Sequence, residues 1–190
     1  MDAVSLAVAL VLGIAASMVA WFLLQHVLRA KLTIAPQISR LWKDDGTSIY
    51  RVKLVNQRKR RSAIDIEVIV DAVLFGRFPR RPRTQQVLKV QTATPSYPVL
   101  RAGGNRVIIL RLGPLMEKEK LGDAPRGDEL HALLSRDSRD YIRVWVICTD
   151  GYSGQRRGFT QKFHVKDIVD RFWIANDSVE LGAPTKPGSD

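Results

Sequence analysis

The chain has 190 residues, of which 45% are hydrophobic, and a formal net charge of +11 at pH 7. This hydrophobic fraction argues against an intrinsically disordered chain, and the length fits one folded domain besides a short N-terminal segment. Cys148 is the single cysteine, so an internal disulfide is excluded, which agrees with a reducing compartment.

Residues 3–24 contain neither charge nor proline. As a helix this run measures about 33 Å, enough to cross a hydrocarbon core of about 30 Å. We therefore interpret residues 1–29 as a retained transmembrane anchor. The alternatives are a cleavable signal peptide, which needs a positive start and a shorter apolar core, and a buried core helix.

Charge on either side of this run predicts its orientation. Asp2 precedes it, whereas Arg29, Lys31, Arg40 and Lys43 follow it. By the positive-inside rule the N-terminus lies outside and the C-terminal part is cytoplasmic, at the inner (plasma) membrane.

One face of the apolar helix carries small residues, Ala9, Gly13 and Ser17, at four-residue spacing. Such faces allow transmembrane helices to approach closely. We expect self-association through this face, in a homo-oligomer or a larger membrane complex, although alanine-rich spans also produce this spacing by chance.

Residues 30–48 are predicted to form a membrane-proximal connection with a first short strand within 32–42, closed by an Asp45-Gly46 turn. Further strands follow from alternation of apolar and polar residues. They are predicted at residues 49–56, 63–75, 87–92, 106–112, 141–149 and 157–165.

The segments between these strands have the composition of loops and short helices. Residues 94–104 and 114–126 are predicted loops, 128–135 a short helix, 166–173 a terminal turn or helix, and 176–190 a disordered tail.

Residues 63–75 are apolar on both faces and are therefore expected to form a central strand. Many short strands with almost no long helix outside the anchor indicate a mainly β fold, a β-sandwich over residues 49–175.

No arrangement of residues indicates catalysis. His26, His131 and His164 lack metal-ligand spacing, and no nucleophile or phosphate-loop motif is present. We therefore expect a protein that is not an enzyme and needs no cofactor or metal. An unrecognised hydrolase, the alternative, needs a convergent polar pocket.

Basic clusters are the main interaction signal. The residues that we expect to contact anionic phospholipid or an acidic partner are Arg58, Lys59, Arg60, Arg61, Arg80 and Arg81. Arginine suits phosphate because its planar guanidinium donates two hydrogen bonds. Nucleic acid is disfavoured because no stacking aromatic residues are interleaved. Plain surface charge is the alternative. These basic residues lie in two predicted loops, residues 57–62 and 76–84. If both loops lie at the membrane-proximal end of the sandwich, they form a basic collar beneath the bilayer.

Residues 53–59, Lys-Leu-Val-Asn-Gln-Arg-Lys, followed by the strand at 64–74, resemble the cytoplasmic domain of inward-rectifier potassium channels. Pro114-Leu115, residues 127–130, the hairpin at 141–156 and residues 163–172 are similar to later parts of that domain. The resemblance covers about residues 38–173, but the chain has no second span and no selectivity filter. It implies an immunoglobulin-like sandwich, a cytoplasmic location, assembly, and contact with anionic phospholipid through basic loops, and it implies no channel activity.

Together these features predict a single-pass, membrane-anchored, non-catalytic binding or regulatory module whose basic cytoplasmic sandwich contacts anionic lipid or an acidic partner. The alternative is an outward-facing structural or adhesion module of a cell envelope. The location of the C-terminal domain distinguishes the two.

Overall fold

The structure is a computed structural model that describes residues 2–23, 30–77, 84–118, 128–173 and 181–184. The first element is helix α1 (Ala3–Phe22), whose mean hydropathy reaches 2.4 and none of whose residues is buried. It is long and apolar enough to cross a membrane, as predicted for this end of the chain.

Strands make up most of the remaining described chain. They are β1 (Leu32–Ile34), β2 (Ile38–Trp42), β3 (Ser48–Asn56), β4 (Ala63–Phe75), β5 (Gln85–Thr92), β6 (Ser96–Leu100), β7 (Asn105–Arg111), β8 (Tyr141–Asp150), β9 (Arg156–Phe163), β10 (Ile168–Val169), β11 (Arg171–Trp173) and β12 (Leu181–Pro184). Two short helices, α2 (Gly113–Lys118) and α3 (Glu129–Leu134), and a 3₁₀ turn (Val165–Asp167) complete the elements.

Ten strands form one curled sheet in the order β10-β2-β3-β7-β5-β4-β8-β9, with β1 paired to β3 and β6 to β4. Strand β5 joins the two halves: it pairs with β4 along most of its length and reaches β7 only through Gln91 and Thr92. The halves are thus a first layer, β2-β3-β7, and a second layer, β4-β8-β9. A curled sheet with two such halves is consistent with a β-sandwich-like fold. The predicted fold class is confirmed.

The core lies between the two layers. Tyr50, Val52 and Leu54 of β3 are buried, and so are Val68 and Val70 of β4. In antiparallel strands the intervening side chains point outward, so one alternating pattern defines both the core and the outer surfaces. As predicted, β4 is central, with β5 on one side and β8 on the other.

The alternation of buried and exposed side chains in β4 begins only at Ile66, although the strand itself begins at Ala63. Asp65 has a positive φ of 50°, and the register with β8 shifts between Ile64 and Glu67. A β-bulge therefore interrupts the start of the strand.

The connection predicted at residues 30–48 contains two strands rather than one. Leu32, Ile34 and Ile38 are buried, so both strands belong to the core. Pro36 lies between them. The predicted Asp45-Gly46 turn is present, with Gly46 at a φ of 74°, a conformation that glycine adopts without strain.

Four other segments differ from the sequence-based prediction. Residues 166–173, predicted as a terminal turn or helix, contain the strands β10 and β11 after a 3₁₀ turn. The predicted loop at 94–104 contains β6, an edge strand that tolerates Pro98 because an edge needs fewer backbone donors. The loop at 114–126 overlaps α2. Within the predicted tail, Leu181–Pro184 forms strand β12, which pairs with β11. The rest of the predicted tail, residues 176–180 and 185–190, lies outside the described residues.

Candidate anion-binding surface at the proximal end

The chain enters the sandwich at one end of its strands, which we call the proximal end. The described chain resumes at Ala30, and residues 24–29 separate it from Leu23. Leu32 pairs with Asn56, and the backbone N–H of Gln57 donates to the carbonyl of Lys31 at 3.0 Å. The loop after β3 therefore lies beside the point where the chain arrives from the apolar helix.

Asn56 holds two loops of the proximal end together. This asparagine is only 2% exposed, and its Nδ2 donates to the carbonyls of Arg61 at 2.8 Å and Arg101 at 3.2 Å. Its Oδ1 accepts from the N–H of Arg58 at 3.0 Å. The N–H of Gly103 also donates to the carbonyl of Arg58 at 2.8 Å. Residues 57–62 and 101–104 thus form one hydrogen-bonded unit.

The turn between β8 and β9 adds a third loop. The N–H of Gly151 donates to the carbonyl of Ser62 at 3.0 Å. The buried carboxylate of Asp150 accepts from the N–H groups of Tyr152 and Ser153 at 3.0 and 2.8 Å. The Arg61 guanidinium lies 5.0 Å from the centre of the Tyr152 ring, at cation–π distance. These contacts orient the loop.

The three loops, residues 57–62, 101–104 and 151–155, contain five basic and no acidic residues. Lys59, Arg60 and Arg101 are exposed, and within the described residues they form no ion pair. The nearest ion pair joins Arg156 of β9 to Glu67 at 3.4 Å, and both side chains are well exposed. The loop surface is therefore a rigid positive surface with unneutralised cations.

The other predicted cluster is not among the described residues. Arg80 and Arg81 lie outside the described residues. The described residues on either side of this undescribed stretch follow Phe75 and precede Gln85, and these two residues pair at the opposite, distal end of β4. Loops that flank one strand lie at its opposite ends, and 13 residues span about 43 Å. These described flanks lie away from the proximal loops, and contact of Arg80 and Arg81 with anionic lipid stays a prediction.

At the distal end, Arg77 has a structural contact. Its Nη2 donates to Oδ2 of Asp140 at 2.9 Å and to the carbonyl of Leu133 at 3.1 Å. Asp140 is 1% exposed and also accepts from the N–H of Phe75 at 2.7 Å. Burial raises the pKa of this carboxyl, against the lowering effects of the Phe75 N–H and Arg77. The ion pair thus compensates a buried charge.

The small residues of the apolar helix lie along one groove, lined by Ala9, Gly13 and Ser17 among others. The Ser17 hydroxyl donates to the Gly13 carbonyl at 2.8 Å, so it is hydrogen-bonded within its own helix. The predicted face is present, and association through it stays a prediction.

Metal-binding geometry is not found in the described part of the chain. No group of three His, Cys, Asp or Glu side chains there is placed to hold a metal ion. The thiol of Cys148 is buried, and burial raises its pKa to about 11, so it is a poor nucleophile at neutral pH.

The chain matches no known protein family and no curated protein. The roles of Asn56 and Tyr152 were not predicted from the sequence. The position of Asn56, a polar residue at the end of an alternating strand, could have indicated that its side chain bonds to the neighbouring loop. Nothing in the sequence indicates the contact of Tyr152 with Arg61.

Proposed function

We propose that this protein is a membrane-anchored, non-catalytic binding module whose proximal loops contact anionic phospholipid headgroups. The observation that carries the proposal is the hydrogen bond between Gln57 and Lys31, which joins the basic loop to the segment that arrives from the helix. The seven backbone steps from Leu23 to Ala30 span at most about 25 Å, so the loop cannot lie farther than this from the end of the described helix.

Electrostatics favours this function. A Lys or Arg near an anionic leaflet contributes about 1 kcal/mol, so a few aligned cations give appreciable binding. Asn56 already holds the backbone of the loop that carries these cations, so little backbone conformational entropy is lost when they meet phosphate groups.

A cytoplasmic domain with its N-terminus outside is part of this proposal, since anionic lipid is enriched in the cytoplasmic leaflet. Two C-terminal reporters fused after Asp190, one active only in the cytoplasm and one only outside, test it. External activity would contradict the proposal and favour the envelope structural or adhesion module. The resemblance to inward-rectifier cytoplasmic domains agrees with the cytoplasmic assignment.

Lipid contact is tested in the full chain, reconstituted into vesicles of phosphatidylcholine with and without phosphatidylserine. A fluorophore on Gln57→Cys reports the proximal end, and the same fluorophore on Ser138→Cys, also at an exposed position, reports the distal end. Cys148 is buried and is not expected to react. A nitroxide-bearing headgroup serves as the quencher.

We expect phosphatidylserine to increase quenching at position 57, reversibly with salt, and to leave position 138 unchanged. Replacing all four of Arg58, Lys59, Arg60 and Arg61 by Gln should abolish the increase. Equal quenching in both lipid compositions, or an increase that survives the four replacements, would show that the loop cations are only surface charge.

A further inference from the structure

One of the three proximal loops differs from the other two in charge. Residues 57–62 and 101–104 contain all five cations of this surface, whereas residues 151–155, Gly-Tyr-Ser-Gly-Gln, contain no charge. We call residues 151–155 the uncharged loop. Its Tyr152 is 74% exposed, the largest exposed fraction among the large hydrophobic side chains that the structure describes. The uncharged loop therefore presents an aromatic ring to solvent next to the cations.

Strand pairing places the uncharged loop at the same level as the two basic loops. Ala63 of β4 pairs with Asp150 of β8 on one side and with Leu100 of β6 on the other. The three loops adjoin these three residues, so all of them project beyond the same end of the strands. Because the basic loop after β3 is hydrogen-bonded to Lys31, the uncharged loop also lies at the end where the chain arrives from α1.

The backbone of the uncharged loop is held in one conformation. The N–H of Asp150 donates to the carbonyl of Gln155, and the N–H of Gly154 donates to the carbonyl of Asp150, both at 2.9 Å. Gly154 has a φ of 68°, which glycine adopts without strain. A Cβ added at Gly151 would lie 3.0 Å from the carbonyl oxygen of Ser62, so the uncharged loop packs tightly against the basic loop beside it. A loop that is ordered in advance loses little conformational entropy on binding.

The contact between Tyr152 and Arg61 leaves the ring as its outer member. The Arg61 guanidinium lies over the ring at 5.0 Å from its centre. Arg61 is only partly exposed and its Nη1 is buried, whereas Tyr152 is largely exposed. The guanidinium thus supports the ring from the protein side, and the ring rather than the charge faces outward.

Tyrosine suits the boundary between lipid headgroups and acyl chains, because its ring is apolar and its hydroxyl is polar. Trp21 and Phe22 lie at the end of α1 from which the chain leads to the sandwich, where aromatic residues mark the same boundary. The segment from Leu23 to Ala30 spans at most about 25 Å, so the sandwich begins near this boundary. The uncharged loop enters it without removing a charge from water.

We propose that Tyr152 inserts into the boundary between headgroups and acyl chains, and that the uncharged loop thereby docks the sandwich on neutral lipid as well as on anionic lipid. The inference rests on the proposed position of the proximal end at the membrane, but it does not require anionic phospholipid. Salt screens the attraction of the basic loops to lipid charge, whereas it leaves the insertion of an uncharged ring in place.

Headgroup quenching of the full chain in vesicles of phosphatidylcholine alone tests this inference, because no lipid there attracts the basic loops. The fluorophore on Gln57→Cys reports docking of the proximal end, and the fluorophore on Ser138→Cys reports the distal end. We expect quenching at position 57 that high salt does not change, and little quenching at position 138. Tyr152→Ser should lower the ratio of docked to free sandwich, obtained from the quenched fraction, about tenfold, equivalent to about 1.4 kcal/mol.

Further variants show whether the ring itself is responsible. Tyr152→Trp keeps an aromatic ring suited to the lipid boundary and should dock at least as well as the parent chain. Val87→Ser removes an exposed apolar side chain near the distal end of β5 and should leave quenching at position 57 unchanged. Tyr152→Lys replaces Tyr152→Ser if the latter does not fold, and it should likewise lose docking on phosphatidylcholine.

The outcomes separate this inference from the proposed function. Undiminished quenching in a folded variant without the ring, or no quenching of the parent chain in phosphatidylcholine, would overturn insertion of Tyr152. In either case an increase with phosphatidylserine that depends on the four cations of residues 58–61 would leave the proposed function intact. Conversely, ring-dependent quenching that phosphatidylserine does not increase would support insertion of Tyr152 and contradict the proposed function.

Discussion

The two ends of the sandwich are both rich in arginine, but their arginines differ in what surrounds them. At the distal end Arg77 pairs with buried Asp140, and Arg40 pairs with Asp170 and Asp128. At the proximal end Lys59 and Arg60 are exposed and, within the described residues, have no acidic partner. The first group stabilises the fold and the second is available to bind another molecule.

This comparison shows that a cluster of basic residues in a sequence has no single meaning. An arginine that compensates a buried carboxylate cannot also neutralise a phosphate without leaving that carboxylate unpaired. The number of cations therefore says less about binding than the positions of the nearest acidic groups.

The largest expected difference is between Arg77→Gln and Arg60→Gln. Removing Arg77 leaves Asp140 buried without its counter-ion, and we expect the free energy of unfolding to fall by about 3–5 kcal/mol. Arg60→Gln should change it by less than about 0.5 kcal/mol. Urea unfolding of the detergent-solubilised full chain, followed by tryptophan fluorescence, measures both.

The double variant Arg77→Gln with Asp140→Asn is the control for this mechanism, since it removes the unpaired charge and should recover part of the loss. Similar losses for Arg77→Gln and Arg60→Gln would remove the distinction between the two ends.

Asn56→Ala tests whether the proximal loops are held rigidly. Three backbone carbonyls lose a donor, those of Arg61, Leu100 and Arg101, and we expect a loss of about 2 kcal/mol. Asn105→Ala, in β7 at the same end, should be nearly neutral. Hydrogen exchange of the Arg58 amide should accelerate in Asn56→Ala alone. Unchanged exchange there would mean that other contacts hold the loop.

Lys59→Gln combined with Arg60→Gln separates binding from stability at the proximal end. Both side chains are exposed, so we expect a change in unfolding free energy of less than about 0.5 kcal/mol per site. The salt-dependent quenching at position 57 in phosphatidylserine vesicles should nevertheless fall to a small fraction of its parent value, because the loss of two of the four cations of this loop removes about 2 kcal/mol of attraction. A loss of stability with unchanged quenching would assign these residues a structural role.

Much of the fold was predictable because strand alternation is a local property. The predicted bounds of β4, residues 63–75, are those of the structure, and β3 differs by one residue. Strand β6 was missed because Pro95 and Pro98 indicate a loop, and only its pairing with β4 stabilises it as a strand.

The candidate site was less predictable because it depends on which loops meet. That residues 57–62 and Arg77 lie at opposite ends follows from their position on either side of one strand, so this signal was present in the sequence. The contact of Asn56 with Arg101 depends on the packing of β6 and β7 against the end of β3, which local patterns do not determine.

The smallest effect concerns a second distal pair, Asp137 with Arg139. Two guanidinium hydrogen bonds, at 2.7 and 3.0 Å, lower the pKa of Asp137 to about 2. Between the ordinary aspartate pKa, about 3.9, and this value the folded protein binds fewer protons than the unfolded one, so stability falls as pH falls through this range. Asp137→Asn should flatten this part of the urea-midpoint profile measured from pH 5 to pH 2. Lys59→Gln should leave it unchanged, since it alters no carboxyl group.

Burial raises the pKa of Asp140, which acts in the opposite direction, so Asp140→Asn should steepen the loss of stability with falling pH. A slope identical in the parent chain and in Asp137→Asn would mean that this exposed distal pair, unlike Arg77 with Asp140, contributes nothing to the folded state.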